Sequence, residues 1–449
     1  MNPQRIKWLL IPCCCLVSLM LTATVRAQDY YRYYMGLCEQ AKRARDFEKM
    51  ESAIQSALRY GAGDEYAWRS LAWAQGRQGK WKESLSNAYE NIRRNGVCGW
   101  SLAQLAESAL GNGDFPLARK ALDEAKRLPH ELLTGCEGAL KTCTDWLLSA
   151  TGIRTYDIQF KVDLKQGGPT QKPVWLLIPQ EETGIQNFRF SVRNAVSHTE
   201  RHVGIRDYIE VVQKPGEPFF VEGTLVLRPF CLGSARLAEV PPGGCLTELK
   251  PYLTKFQNLS WWDPELPEVQ AIARSVEGRT SAETVQNILN WFRRNIRFDA
   301  SIKDDPALGQ LGTILKLRYG GCHHNSGLFV TLCRAAGVPA CVAHGIVLPI
   351  DGKEFDISPA GGHGWAEVYI NTVGWVPVEP MDADSLRMFT ANRTYVSVGA
   401  SNRPPENHHF SGSVRYDGEE FRVVSIQSCE GIKGRLVRVE MPKQDTQSQ

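Results

Sequence analysis

The chain lacks several features that would fix a function class at sight. Outside its first 27 residues it has no charge surplus. Those residues carry Arg5, Lys7 and Arg26 and no acid, so the 52 basic residues fall to 49, against 49 acidic ones. With no basic excess and no local basic patch, nothing calls for a nucleic-acid partner. No later segment is apolar over membrane-spanning length, which argues against a polytopic membrane protein. Acidic clusters of the kind that hold calcium are missing, since Asp304-Asp305 and Asp382-Ala383-Asp384 are too sparse. Spaced Cys/His pairs are missing as well. Cys322, His323 and His324 are adjacent, and neighbours seldom converge on one ion, so no metal or cofactor is expected.

What remains is the balance of a globular protein, 43% hydrophobic and 22% charged over 449 residues. Its start reads as a targeting segment. Arg5 and Lys7 precede an apolar run from Trp8 to Leu21, and Val25-Arg26-Ala27 offers a small-residue cleavage site before Gln28. A signal peptide over 1–27 places the mature protein outside the cytoplasm, periplasmic or secreted, where disulfides form. The alternative is an uncleaved anchor, because Trp8 to Val25 is nearly long enough to span a bilayer. Only then would the chain be tied to a membrane.

Residues 28–150 are rich in Ala, Leu, Arg and Glu, and a period shows through them. Arg45-Asp46-Phe47, Gly79-Lys80-Trp81 and Gly113-Asp114-Phe115 recur at intervals of 34 residues. Leu37, Leu71 and Leu105 precede them at a fixed offset; Ala57, Asn91 (the exception) and Ala125 follow. Helix, turn and helix at this period resemble the tetratricopeptide repeat. Such units bury their apolar faces only by stacking, so a capping helix is expected within Pro129 to Ala150. The resemblance implies a concave surface for a protein partner; a plain helical bundle is the other reading.

From Thr151 the texture changes. Tyr156, Ile158, Phe160, Val162 and Leu164 alternate with polar residues, the period of a half-buried strand. Further strand-like runs at Val174 to Ile178, Phe188 to Val192, Tyr208 to Val212 and Phe219 to Leu227 suggest an antiparallel, sandwich-like β domain over 151–240. It carries no evident chemistry and reads as a spacer or docking module. A linker with Pro241-Pro242-Gly243-Gly244 leads to a mixed α+β region over 256–435. There Thr280-Ser281-Ala282-Glu283 has the form of a helix-capping box.

The reactive residues lie in that last region. Gly320-Gly321-Cys322 precedes an apolar stripe of Leu328, Phe329, Leu332 and Ala336, which places Cys322 at the N-terminus of a buried helix. Unsatisfied amides and the helix dipole there favour the thiolate, the reactive form. Gly361-Gly362-His363-Gly364 opens a strand through Ile370, and a turn at Asn371 to Gly374 leads into a second strand ending at Glu379-Pro380. If Ile370 opposes Gly374, His363 and Glu379 become diagonal neighbours on one face. A carboxylate beside an imidazole fixes its tautomer and stabilises the imidazolium. With the cysteine, the set is nucleophile, base and orienting acid.

These segments resemble the transglutaminase-like superfamily. Cys322 with Leu328, Phe329, Leu332 and Arg334-Ala335-Ala336-Gly337-Val338-Pro339-Ala340 looks like its nucleophile segment, and His363-Gly364-Trp365-Ala366-Glu367-Val368-Tyr369 like its histidine segment. Gly374-Trp375-Val376-Pro377-Val378-Glu379-Pro380 stands in the third, with Glu379 where the family usually has aspartate. The resemblance implies a papain-like α+β core and a Cys322-His363-Glu379 triad. Cys322 would form an acyl-thioester that passes to water or to an amine. The Cys322 backbone N–H is a natural oxyanion donor, with Gln310 and Tyr319 as side-chain candidates. Glu367 is expected to structure the hairpin, and His408-His409 to lie in a loop.

The sequence thus predicts an extracytoplasmic cysteine hydrolase of amide bonds, with a protein or peptide substrate and a protein partner on the repeats. A protein-glutamine acyltransferase and a catalytically silent binding scaffold are the alternatives. Cys136 with Cys143, and Cys231 with Cys245, are spaced for local disulfides. Cys333 and Cys341 read as packing residues.

Overall fold

The computed structural model describes residues 26–163 (except 62), 173–179, 186–227 (except 204–205), 247–255, 262–349 (except 304 and 306), 354–357, 362–370, 374–380, 394–397, 411–416, 419–425 and 430–440. The targeting segment up to Val25, the Pro241–Gly244 linker, Cys231, Cys245, Asp382–Asp384 and His408-His409 lie outside these residues. Two compact units are formed: one up to Asn112 with Pro116–Leu140, the other Gly113–Phe115 with everything from Lys141.

The N-terminal region is helical. Helix α1 occupies 26–43. It is followed by α2 (Phe47–Leu58), α3 (Glu65–Gly76), α4 (Trp81–Asn95), α5 (Gly99–Gly111), α6 (Phe115–Ala125) and, after a short 3-10 turn at His130–Leu132, α7 (Glu137–Thr151). The 34-residue period of the sequence is also a period of the backbone. Arg45, Gly79 and Gly113 turn the chain in the left-handed region at φ 56°, 78° and 78°, and Phe47, Trp81 and Phe115 then open α2, α4 and α6. Ala57, Asn91 and Ala125 are all buried. Asn91 departs from the small residues at that offset, and its carboxamide oxygen accepts from Asn95 Nδ2 at 3.0 Å. Trp81 lies against two glycines: a Cβ on Gly76 or Gly111 would come within 2.8 or 2.1 Å of its ring. Cys136 and Cys143 are buried and form no disulfide. The Cys136 thiol donates instead to the Leu133 carbonyl at 3.0 Å.

The second unit is sheet-rich. Its first strands are β1 (Ile153–Val162), β2 (Val174–Leu177), β3 (Gln186–Arg193), β4 (Ala195–Val203), β5 (Arg206–Gln213) and β6 (Phe219–Leu227). Then come α8 (Pro267–Ser275), α9 (Ser281–Asn295), β7 (Arg297–Phe298), α10 (Gly309–Leu317), β8 (Tyr319–Gly320) and α11 (Cys322–Ala335). The chain closes with β9 (Ala340–Leu348), β10 (Glu354–Ile357), β11 (Gly362–Ile370), β12 (Gly374–Val378), β13 (Thr394–Ser397), β14 (Ser411–Tyr416), β15 (Glu419–Ser425) and β16 (Gly431–Glu440).

The sheets cross the boundaries read from the sequence. One runs β10-β16-β1-β6-β3 and another β14-β15-β2-β5-β4. The segment 411–440, grouped by the sequence reading with the Cys–His region, therefore completes the sheets begun at residue 153. β16 pairs antiparallel with β1, and β15 runs parallel to β2. The two sheets share one apolar core that includes Tyr156, Phe160, Trp175, Tyr208, Phe219 and Ile432. An alternating strand announces which face is buried but not which strand lies beside it, so this closure was hidden.

A third sheet, β12-β11-β9-β13, is antiparallel throughout and packs with α8, α9, α10 and α11 around a second core. Helix α9 starts at a side-chain cap, Thr280 Oγ1 accepting from the Glu283 amide at 3.1 Å. The Glu283 carboxylate reaches back to the Arg279 amide at 2.8 Å, not to the Thr280 amide of a capping box. Helix α11 is buried along most of its length, from His324 to Arg334. Trp262, 2% exposed, lies against it at Gly327, where a Cβ would stand 2.3 Å from the indole. The same indole meets His323 edge-on at 6.1 Å. Gly327 is thus the residue that lets a tryptophan buttress the first turns of the helix. Gly327→Ala should lower the unfolding free energy by about 1–3 kcal/mol, measured by urea denaturation. Adding Trp262→Phe should recover part of that loss, because residues in contact couple. Strictly additive losses would show that the two positions do not touch.

Candidate functional site

Cys322 is the first residue of α11, delivered there by a short, tightly packed approach. Arg318 ends α10 in the left-handed region at φ 62°, and β8 then pairs parallel with β7. The Gly320 carbonyl accepts twice, from the Asp299 amide and from Asn325 Nδ2, each at 3.0 Å. No side chain fits at Gly320: a Cβ would lie 2.6 Å from His324 Cβ and 3.0 Å from Ile314 Cδ1. Gly321 is the N-cap and contributes no side-chain hydrogen bond. In the first turn the His323 amide therefore donates to the Cys322 thiol rather than to a capping oxygen.

His363 and Glu379 come from the hairpin β11–β12. Ile370 pairs with Gly374 and Ala366 with Val378. Carried one residue further, this register sets Glu379 across from Trp365, diagonal to His363. The two side chains meet, His363 Nε2 to Glu379 Oε2 at 2.6 Å, with only 14% and 11% of their surfaces exposed. So little water screens the pair that its attraction outweighs that of a surface ion pair. With Nε2 engaged by the carboxylate, Nδ1 is the ring nitrogen left to exchange a proton with sulfur.

The electrostatics fit a thiolate–imidazolium pair. Hydrogen bonding to the His363 side chain lowers the Cys322 pKa against the opposing effect of burial, and the Gly364 and His323 amides pull the same way. Burial alone would lower the His363 pKa; contacts with Cys322 and Glu379 outweigh it and raise the pKa to about 9. Cys333 is the contrast. Enclosed in the core with no such partners, its thiol is pushed well above the ordinary range by burial.

The other residues singled out by sequence sort differently. Glu367 is buried on β11, and its Oε2 accepts from the sulfur of Cys341, its pairing partner on β9, at 3.8 Å. Gln310 lies on α10 and Tyr319 on β8, and among the described residues neither hydrogen-bonds to Cys322. The amides of His323 and Gly364, which flank the sulfur, are donors that residue types could not reveal. Ser326 and Asn325 were also missed. Their only trace in the sequence is polarity within an otherwise apolar helix. No group of three His, Cys, Asp or Glu able to hold a metal ion is found among the described residues.

A search of the curated proteins finds no match. Among solved structures, the chain is similar to a candidate cysteine protease from Cytophaga hutchinsonii, with 15% identity, a TM-score of 0.39 and coverage of 64% of this chain and 98% of that one. It is also similar to the periplasmic domain of TgpA from Pseudomonas aeruginosa, solved bound to ethylmercury, with 16% identity, a TM-score of 0.29 and coverage of 53% and 93%. Residues 270–380 match the transglutaminase-like superfamily, and this span holds Cys322, His363 and Glu379. The chain therefore carries a transglutaminase-like superfamily domain over residues 270–380.

Proposed function

We propose that the chain is an extracytoplasmic, cysteine-dependent hydrolase of amide or peptide bonds, with Cys322 as nucleophile, His363 as general base and acid, and Glu379 as the orienting acid. The observation that carries this reading is the 2.6 Å contact between His363 Nε2 and Glu379 Oε2, made on the same imidazole that lowers the pKa of Cys322. In the reaction, Cys322 Sγ bonds to the amide carbon. The His363 imidazolium gives its proton to the leaving nitrogen as the carbon–nitrogen bond breaks. The neutral imidazole then takes a proton from water, whose oxygen attacks the thioester, and the acid leaves as thiolate and imidazolium re-form. The Cys322 backbone N–H, at the start of α11, would serve as a donor to the developing oxyanion.

Hydrolysis is favoured over amine transfer because water is always present and no feature of the chain selects an amine. The His363–Glu379 contact speaks against a silent scaffold. The three helix pairs, read as tetratricopeptide-like repeats over 28–150, would recruit a protein partner or substrate, and the β domain begun at residue 151 would act as a sandwich-like spacer. The targeting segment supports an extracytoplasmic site of action. Among the described residues no helix is long and apolar enough to cross a membrane.

An amide-mimicking, thiol-directed probe should label the wild type and not Cys322→Ala; equal labelling would remove the nucleophile assignment. With a glutamine peptide and a labelled primary amine, deamidation or cleavage should dominate, and amine incorporation without either would overturn the hydrolase reading. Glu379→Gln should reduce turnover by roughly 10²- to 10⁴-fold. Glu379→Asp should reduce it too, because the shorter arm withdraws from a contact already at 2.6 Å; a gain would mean that the native acid is misplaced.

The pH dependence follows from the ion pair. On the acid side the lowered Cys322 pKa keeps the thiolate until the pH falls through it. On the alkaline side the imidazolium proton needed by the leaving group is lost as the pH rises through about 9. A bell-shaped kcat/KM profile with its alkaline limb near that value is expected. A rate that keeps rising well beyond the limb would exclude the imidazolium as the acid.

A further inference from the structure

Helix α11 meets the histidine strand at two points one turn apart. At the first, the Gly364 amide donates to the Cys322 sulfur. At the second, Ser326 Oγ donates to the Gly364 carbonyl at 2.9 Å. Cys322 and Ser326 are four residues apart and so share one face of the helix. The residue after His363 is therefore held at both its N–H and its C=O by α11. Ser326 is wholly buried, so its hydroxyl has no water to turn to. Removing it would leave the Gly364 carbonyl without this donor and free the strand to shift relative to the sulfur. Its neighbour Asn325, 2% exposed, fixes the other side, holding the Gly320 carbonyl of the approach loop at 3.0 Å.

We propose that Ser326 is a positioning residue for the reaction: it clips the histidine strand onto the nucleophile helix and so sets the separation of Cys322 and His363. The proposal rests on the reading of these two residues as the reacting pair. A sulfur–imidazole contact depends steeply on distance, whereas a backbone clip one turn away leaves both reacting side chains intact. The titratable groups around the sulfur are His363 from β11, Glu379 acting through it, and His323 and His324 on its own helix. None of these is altered by substituting Ser326.

The test reads the ion pair without any substrate. The full-length protein is alkylated with iodoacetamide over a pH series, and modification at Cys322 is followed by site-resolved mass spectrometry. The wild type should show Cys322 reacting at a lower pH than a free cysteine does. In Ser326→Ala the acid limb should move up by about one pH unit, roughly a tenfold loss of rate below it, while the melting curve stays cooperative. A limb that superimposes on that of the wild type would overturn the proposal. Should Ser326→Ala fail to fold, Ser326→Cys keeps the side chain's connectivity but weakens the donor; its limb should move in the same direction, and no movement overturns the proposal equally. If wild-type Cys322 itself reacts like a free cysteine, the nucleophile reading fails first. A reactive wild type with unmoved variants removes Ser326 alone.

Discussion

The site depends on one packing constraint: a buried helix, α11, must lie against β11 so that its first residue faces the second residue of the strand. Neither reactive side chain is placed by a mobile loop. Cys322 is fixed because α11 is enclosed by the second core and buttressed at Gly327 by Trp262. His363 is fixed because β11 is an interior strand, paired with β9 on one side and β12 on the other. Long hydrophobic packing sets the gross position, and a few polar contacts at the helix start set the last fraction of an ångström. This division suits catalysis, since burial is strong but non-directional while hydrogen bonds are weaker and directional.

β9 carries that constraint into the rest of the unit. Its first half gives Ala340 and Val342 to the core around α11, and its second half gives Ile346 and Leu348 to the core of the two β sheets. Between them, Gly345 pairs with His363. The Tyr156 hydroxyl of β1 donates to the Pro349 carbonyl just beyond the strand at 3.0 Å. The sheets around β1 are therefore continuous in packing with the strand beside the imidazole.

What could be read from the residues, and what could not, divides by the range of the interaction. The hairpin joining His363 to Glu379 is local: a turn at a glycine sets its register, and the register alone brings the acid to the imidazole. The start of α11 at Cys322 and the three left-handed turns 34 residues apart are local in the same way. The partner strands of β1 are not. β16 lies some 280 positions further along, and its own alternation fits many neighbours. The Ser326–Gly364 contact was hidden for a different reason. A serine in an apolar helix shows that a hydroxyl must be satisfied, but its own i−4 carbonyl is the usual partner, and only the fold exchanges that for a strand. The expected disulfide at Cys136 failed because spacing shows reach and not orientation, and that thiol turns to a carbonyl of its own segment.

The glutamate at 379, where the resembled family usually has aspartate, stands just past the end of β12. The strand ends at Val378, and Pro380 follows without an N–H to continue a ladder. Residue 379 therefore sits just past the last paired residue of the strand. Its side chain, one methylene longer than that of aspartate, reaches Nε2 at 2.6 Å. The added rotamer freedom is curbed by burial, since the carboxylate keeps only 11% of its surface. The departure from aspartate thus leaves a buried carboxylate oxygen on the imidazole.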